Sequence, residues 1–226
     1  MEVKILKNIN ESNETYADKN REYFDKNGIF TINIMGSPGA GKTAFIEKTL
    51  QNNKDKLKYA VIEGDLSTTN DTERIARHNV PAIQINTLEA TSVCHLHASM
   101  IHNCLQQEDF SKSDVLIIEN VGNLVCPSYY TLGEDIRVVV LSVTEGEDKP
   151  IKYPKIFNVA DVVIVNKVDL APHLETNMEE IYKNIKQVSP EAKIIEFSNK
   201  NEDGVLEWYK YLNEKIDKDS KVNKKL

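Results

Sequence analysis

Two kinds of segment alternate along this chain. Short apolar runs rich in Ile, Val, Tyr and Phe occur at 29–34, 59–62, 82–85, 115–118, 138–143, 162–165 and 194–197. Helical spacing falls between several of them, at 42–52, 71–78, 95–105 and 178–187. The runs are apolar at successive positions, not at every second one, so they predict strands buried on both faces. Such strands separated by helices predict an α/β domain: a mainly parallel sheet of about seven strands with helices on both faces. Residues 2–27 read as one polar helix with a thin stripe that includes Tyr16, Tyr23 and Phe24, ended by Gly28 as C-cap. No internal repeat and no Gly/Ser-rich or Pro-rich linker divides the chain. The expected organisation is an N-terminal helix (1–28), one domain (29–214) and a solvated tail (215–226) rich in Lys and Asp.

Composition narrows the class. At 226 residues, folding buries roughly 70% of the unfolded surface, enough to need no disulfide or structural metal. Three cysteines do not make a disulfide framework and fit a reducing cytoplasm. The start of the chain carries no signal-like apolar stretch, and no run reaches the roughly 18 residues that span a bilayer. The expectation is a cytoplasmic protein without a membrane partner. A net charge of −7 argues against nucleic acid as a general partner.

The chemistry begins at Gly36-Ser37-Pro38-Gly39-Ala40-Gly41-Lys42-Thr43, which follows a strand, opens a helix and fills the Walker A pattern. The glycines let backbone N–H groups close on phosphate oxygens, and the helix N-terminus adds its dipole. Lys42 is expected to bridge the β- and γ-phosphates and Thr43 to ligate Mg²⁺. The second half of the metal site should lie on a strand ending in an acid, and Val115-Leu116-Ile117-Ile118-Glu119 supplies it, so Glu119 is expected to hold Mg²⁺ directly or through water. Gly122 is expected to sense the γ-phosphate. Asp65, in Glu63-Gly64-Asp65 at another strand end, is a further candidate for Mg²⁺ or water positioning, with Asp71 a weaker one. Lys42, Asp65 and Glu119 form the expected catalytic set. Some dimeric P-loop ATPases carry an extra lysine early in the loop; here that stretch is Ser37-Pro38.

Asn166-Lys167-Val168-Asp169 follows an apolar strand and selects the base. The Asp169 carboxylate can accept from both N1–H and the 2-amino group of guanine, donors that adenine does not offer in that arrangement. Asn166 is expected on the base's other edge, Lys167 across its face, and Ser198 beneath it through its backbone. The nucleotide is therefore GTP or GDP. No glutamine or arginine finger is identifiable, so intrinsic turnover is expected to be slow.

Five segments resemble a known family, the hydrogenase maturation GTPases that assist nickel insertion, HypB: 36–43, 63–65, 94–96, 118–127 and 140–150. The stretch 17–21 is similar too. The resemblance implies a P-loop NTPase of the SIMIBI type that forms a GTP-dependent homodimer. It also implies a metallochaperone carrying Ni²⁺ or Zn²⁺ near the subunit interface, on Cys94, His95 and Cys126. A second nickel-maturation protein and the hydrogenase large subunit are the implied partners. Members often have Asp where this chain has His97, and some carry an N-terminal Cys-rich or His-rich metal segment absent here. By residue type alone, thiol and imidazole suit these metals, but free cysteines are usually small buried hydrophobes. Cys104 keeps that plain reading, sharing a helical face with Leu96 and Met100. Cys126 lies seven residues beyond Glu119, a tether of at most about 25 Å, so GTP hydrolysis could switch metal affinity. Other readings are a maturation GTPase for urease or a cobalamin enzyme, and a regulatory GTPase with no metal role.

Overall fold

The computed structural model describes residues 9–53, 57–65, 70–87 and 94–219. Seven strands form one parallel sheet: β1 (Phe30–Gly36), β2 (Tyr59–Asp65), β3 (Ala82–Asn86), β4 (Val115–Glu119), β5 (Ile136–Ser142), β6 (Val162–Asn166) and β7 (Lys193–Phe197). Their order is β3-β2-β4-β1-β5-β6-β7. Every residue of β1, β4 and β6 is buried, as unbroken apolar runs require of strands covered on both faces.

Alternate residues of the strands feed opposite layers. Ile32, Ile34, Val138, Val140, Val162 and Ile164 face a core completed by α2 (Lys42–Asn53), α3 (Asn70–Ala76) and α8 (Val205–Lys218), through Phe45, Leu50, Ile75, Trp208 and Leu212. On the other face, Ala60, Ile62, Leu116 and Ile118 pack under α1 (Ile9–Asn27) and α4 (Ala98–Gln107). Beside them Val139, Leu141, Val163 and Val165 pack under α5 (Lys149–Lys152), α6 (Pro154–Asn158) and α7 (Met178–Val188).

Helix α1 ends as expected: Gly28 takes φ 60° and Ile29 N–H closes on Phe24 O at 3.0 Å. Residues 1–8, part of the expected helix, lie outside the described residues. Three polar side chains fasten α1 down. Asn13 donates to Thr131 O (2.8 Å), Asn20 donates to Ala98 O (2.9 Å) and Leu132 O (3.0 Å), and Arg21 pairs with Asp135.

Two expectations change. The helix expected over 95–105 begins only at Ala98, after an extended His97 (φ −93°, ψ 151°). Leu96 N–H is taken by the Asn120 side chain at 3.1 Å, so Cys94-His95-Leu96 is held as a turn ahead of the helix. The tail expected from 215 starts later, because α8 continues to Lys218 with Ile216 buried on the Val205, Trp208, Leu212 stripe. Residues 220–226 lie outside the described residues.

Candidate functional site

Strands β1, β2 and β4 end side by side, and their carboxyl ends open onto a cleft of about 360 Å³. Its lining includes Pro38, Gly39, Gly41, Lys42, Thr43, Glu63, Asp65, Asp71, Glu119, Gly122 and Lys167. The walls explain the glycines. A Cβ on Gly36 would sit 2.4 Å from Val140 O, one on Gly41 2.4 Å from Asn166 Nδ2, and one on Gly122 2.9 Å from Pro38 N. The loop at 120–123 therefore lies directly against the P-loop.

Inside the cleft, Thr43 Oγ1 donates to Glu119 Oε1 at 3.0 Å, and Lys42 Nζ lies 3.9 Å from the same oxygen. The other carboxylate oxygen, Glu119 Oε2, is buried without a partner. Burial, with Glu63 nearby, lifts the Glu119 carboxyl to about 8 against the pull of Lys42. Glu63 stands in register with Glu119 on the neighbouring strand and accepts from the Thr72 hydroxyl. Burial lifts it too, to about 7, with Asp71 and Asp65 adding to the effect. Four acids share the cleft with Lys42, Arg74 and Lys167; the acids outnumber the cations, and with the orphaned Glu119 oxygen they form a donor set that suits a hard divalent cation. Asp71 is partly compensated by Arg74 at 2.8 Å.

Glu63 was passed over in the sequence in favour of Asp65. The signal was there: an acid inside an otherwise apolar strand has no reason to be buried unless something pairs with it.

At the other end of the cleft, Asn166 is fully buried and its amide is committed to protein. It donates to Ala40 O at 2.8 Å and accepts from Lys167 N–H at 2.8 Å. The side chain expected on the base's edge thus uses one of its two amide N–H groups to brace the P-loop. Lys167 turns through φ 62° and its ammonium reaches Gly39 O at 2.7 Å. Ser198, expected to act through its backbone, gives its N–H to Asp203 O at 3.2 Å. Its hydroxyl instead donates to Asp169 Oδ1 at 2.6 Å. Ser37 Oγ donates to Glu145, which itself closes a capping box on Ser142; this is what the run at 140–150 does structurally.

A second cluster lies behind the first. Ligand atoms of Cys94, His95 and Cys126 all fall within 4.8 Å of one another, with the two sulfurs 3.0 Å apart. Cys126 opens a short 3₁₀ turn (Cys126–Tyr129) that starts with Pro127. His95 is buried, stacked on Tyr130 (centroids 4.5 Å, 14° between planes), and neither ring nitrogen has a partner. Burial and the neighbouring His97 lower its basicity to about 4, which keeps the imidazole neutral, the form that binds metals. Two thiols and an orphaned neutral imidazole fit a borderline metal. His97 contacts the His95 ring (centroids 4.2 Å) but is not one of the three convergent ligands. Cys104 is a core residue, its thiol pushed up to about 11 by burial.

Comparison with known proteins agrees with this architecture. Residues 30–196 match the family model described as "CobW/HypB/UreG, nucleotide-binding domain". The hydrogenase maturation factor HypB of Rhizobium leguminosarum is 43% identical over 93% of this chain and 69% of its own length. The hydrogenase/urease maturation factor HypB of Helicobacter pylori is 42% identical over 95% of this chain and 88% of its own. Among solved structures, HypB from Archaeoglobus fulgidus superposes with a TM-score of 0.85 at 41% identity, covering 91% of this chain and 99% of that one. HypB from Helicobacter pylori in complex with nickel gives 0.84 at 40% identity, covering 91% and 95%.

Proposed function

The chain belongs to the hydrogenase maturation factor HypB family, and from that premise we propose that it is a Mg²⁺-dependent GTPase that carries Ni²⁺ or Zn²⁺ on Cys94, His95 and Cys126. The observation that supports this most is that one short segment joins both clusters. Glu119, at the floor of the nucleotide cleft, and Cys126, among the metal-type ligands, are the two ends of it.

In this reading, N–H groups at 39–43 cradle the phosphates at the start of α2, and the Lys42 ammonium balances charge on the β- and γ-oxygens. Thr43 and Glu119 hold Mg²⁺, with Asp65 acting through water. When bound, Mg²⁺ neutralises the charge that develops on the transferring phosphoryl group. Asp169 accepts from guanine, kept in place by Ser198; Lys167 covers the base; Asn166 braces the P-loop; Gly122 meets the γ-phosphate. Loss of that phosphate frees the loop at 120–126 and alters metal affinity, so nucleotide and metal are linked reciprocally. The protein acts as a nucleotide-dependent homodimer in the cytoplasm. With a second nickel-maturation protein, it supplies nickel to the hydrogenase large subunit. Exposed Val125 and Tyr129 beside Cys126 are apolar groups of the kind a subunit interface covers.

The test is a Ni²⁺ and Zn²⁺ titration of the GDP form and of a non-hydrolysable GTP-analogue form, with mass measured by light scattering. Stoichiometric metal binding that disappears in Cys94→Ala and Cys126→Ala is expected. Undiminished binding in both variants would reject the metal role. Mg²⁺-dependent phosphate release from GTP that persists in Lys42→Ala would reject the catalytic one.

A further inference from the structure

The tether from Glu119 to Cys126 is only one of the ways in which the two clusters meet, and it reaches a single ligand. Cys94 and His95 lie on a different segment, more than twenty residues earlier in the chain. Two asparagines within the loop reach them.

Asn120 is 1% exposed. Its backbone N–H donates to Ile34 O of β1 at 2.9 Å, fixing the loop to the strand that leads into the P-loop. Its side-chain oxygen accepts from Leu96 N–H at 3.1 Å, directly after His95, and its Nδ2 donates to Asn33 Oδ1 at 3.3 Å. Asn123 repeats the arrangement three residues on. Its backbone N–H donates to Gly36 O at 3.1 Å, at the mouth of the P-loop, and its Nδ2 donates to Cys94 O at 3.3 Å. Each asparagine thus grips the phosphate-binding side with its backbone and the Cys94–Leu96 turn with its side chain. Between the two lies Gly122, pressed against Pro38.

We infer that Asn120 and Asn123 form a bracket through which the phosphate state of the nucleotide positions Cys94 and His95. Both asparagines are positioning residues, and the inference rests on the nucleotide–metal linkage proposed above. A loop that shifts on the P-loop side must drag the Cys94–Leu96 turn with it or break two hydrogen bonds. The metal pocket is then reshaped from both sides at once, through Cys126 by the chain and through Cys94 and His95 by side chains. A bracket of this kind is a shared element whose arrangement both sites bias, which is what a coupling claim requires.

The discriminating variant is Asn123→Asp. It keeps the oxygen that accepts from Val125 N–H at 2.8 Å and replaces the donor to Cys94 O with a second acceptor; the negative charge it adds beside the cluster acts on metal in both nucleotide states and cancels in their ratio. Asn120→Ser, too short to span Leu96 and Asn33, is the companion. Zn²⁺ affinity is measured by chelator competition on the GDP form and on the GTP-analogue form of the full chain, together with affinity for each nucleotide. The wild-type ratio of the two metal affinities is expected to be at least about five-fold, the lower end of typical coupling. In each variant it should fall by at least about two-fold, since one arm of the bracket is lost while the Cys126 tether remains, and each should still bind metal and nucleotide. A variant that weakens metal equally in both states and so keeps the ratio overturns the bracket and leaves the Cys126 tether as the route. A wild-type ratio of one removes the linkage itself, and the bracket with it.

Discussion

Removing one hydroxyl should weaken guanine nucleotides selectively. Ser198 is fully buried and donates to Asp169 Oδ1 at 2.6 Å, while accepting from Lys200 N–H at 3.1 Å. Among the described residues no other side chain anchors Asp169, which is half-buried, so its orientation towards a base depends on that contact. A carboxylate offers about four lone-pair directions, so the serine and guanine's two N–H groups do not compete for it. A hydrogen bond to a charged acceptor contributes about 1.5–3 kcal/mol. Partial exposure of Asp169 argues for the lower part of the range, because water replaces some of what is lost. Taking about 1–2 kcal/mol as the share that orients the carboxylate, Ser198→Ala should raise the Kd for GDP and GTP by about 5- to 30-fold. Adenine nucleotides make no use of the carboxylate, so weak ADP binding should stay as it was and the GDP/ADP discrimination should shrink by the same factor. Titration with a fluorescent GDP analogue, with ADP and GDP as competitors, measures both quantities. A GDP Kd within two-fold of the wild type, at unchanged melting temperature, would refute the reasoning and place Asp169's orientation elsewhere.

Two further outcomes follow from the packing and the charges. Trp208 is 1% exposed, lies 5.0 Å from Phe45 between ring centroids and donates to Thr49 Oγ1 at 3.0 Å; Trp208→Ala should cost about 3–5 kcal/mol in urea unfolding, and a loss below about 1.5 would mean that α8 docks without it. In metal-free, nucleotide-free protein, Glu63 and Glu119 hold their protons up to about 7 and about 8, far above the ordinary 4.5. Their stabilising contribution is therefore complete at low pH and is lost as pH rises through those values, by up to about 1.4 kcal/mol per pH unit for each proton released. Below about pH 6.5 the neutral His95 works in the opposite direction, so melting temperatures should be compared between about pH 6.5 and 8 in chelator. A fall that is smaller in Glu119→Gln, where Glu63 still releases its proton near 7, is expected; a wild type that is flat or rises with pH contradicts the assignment.

Much of the architecture was legible in the sequence because its signals are local. A strand buried on both faces must be apolar at every position, so 115–118 and 162–165 announced themselves as strands of a parallel sheet. The P-loop was equally plain, because close approach to phosphate excludes side chains at fixed places; that a Cβ on Gly41 would also meet Asn166 Nδ2 at 2.4 Å was visible only in the fold. The helix over Val205–Lys218 was missed although its Val205, Trp208, Leu212, Ile216 stripe has helical spacing. What no local pattern could supply was which polar groups meet. Asn166 was read as facing a base, and only the placement of Ala40 O against it showed that one of its N–H groups also holds the P-loop. By residue type Cys94 and Cys126 read as inert hydrophobes and only the family resemblance read them as ligands; the fold then set their sulfurs side by side with an unpartnered imidazole. Asn120 and Asn123 lie inside the 118–127 run that carries the resemblance, but nothing local told which groups they bond, because most of their partners are backbone groups that any residue offers. The residue types and their order therefore settled the sheet and the phosphate loop. Tertiary packing alone decided which donors and acceptors were left to face each other, since hydrogen bonds at about 3 Å depend on positions that distant segments take only when the chain has folded.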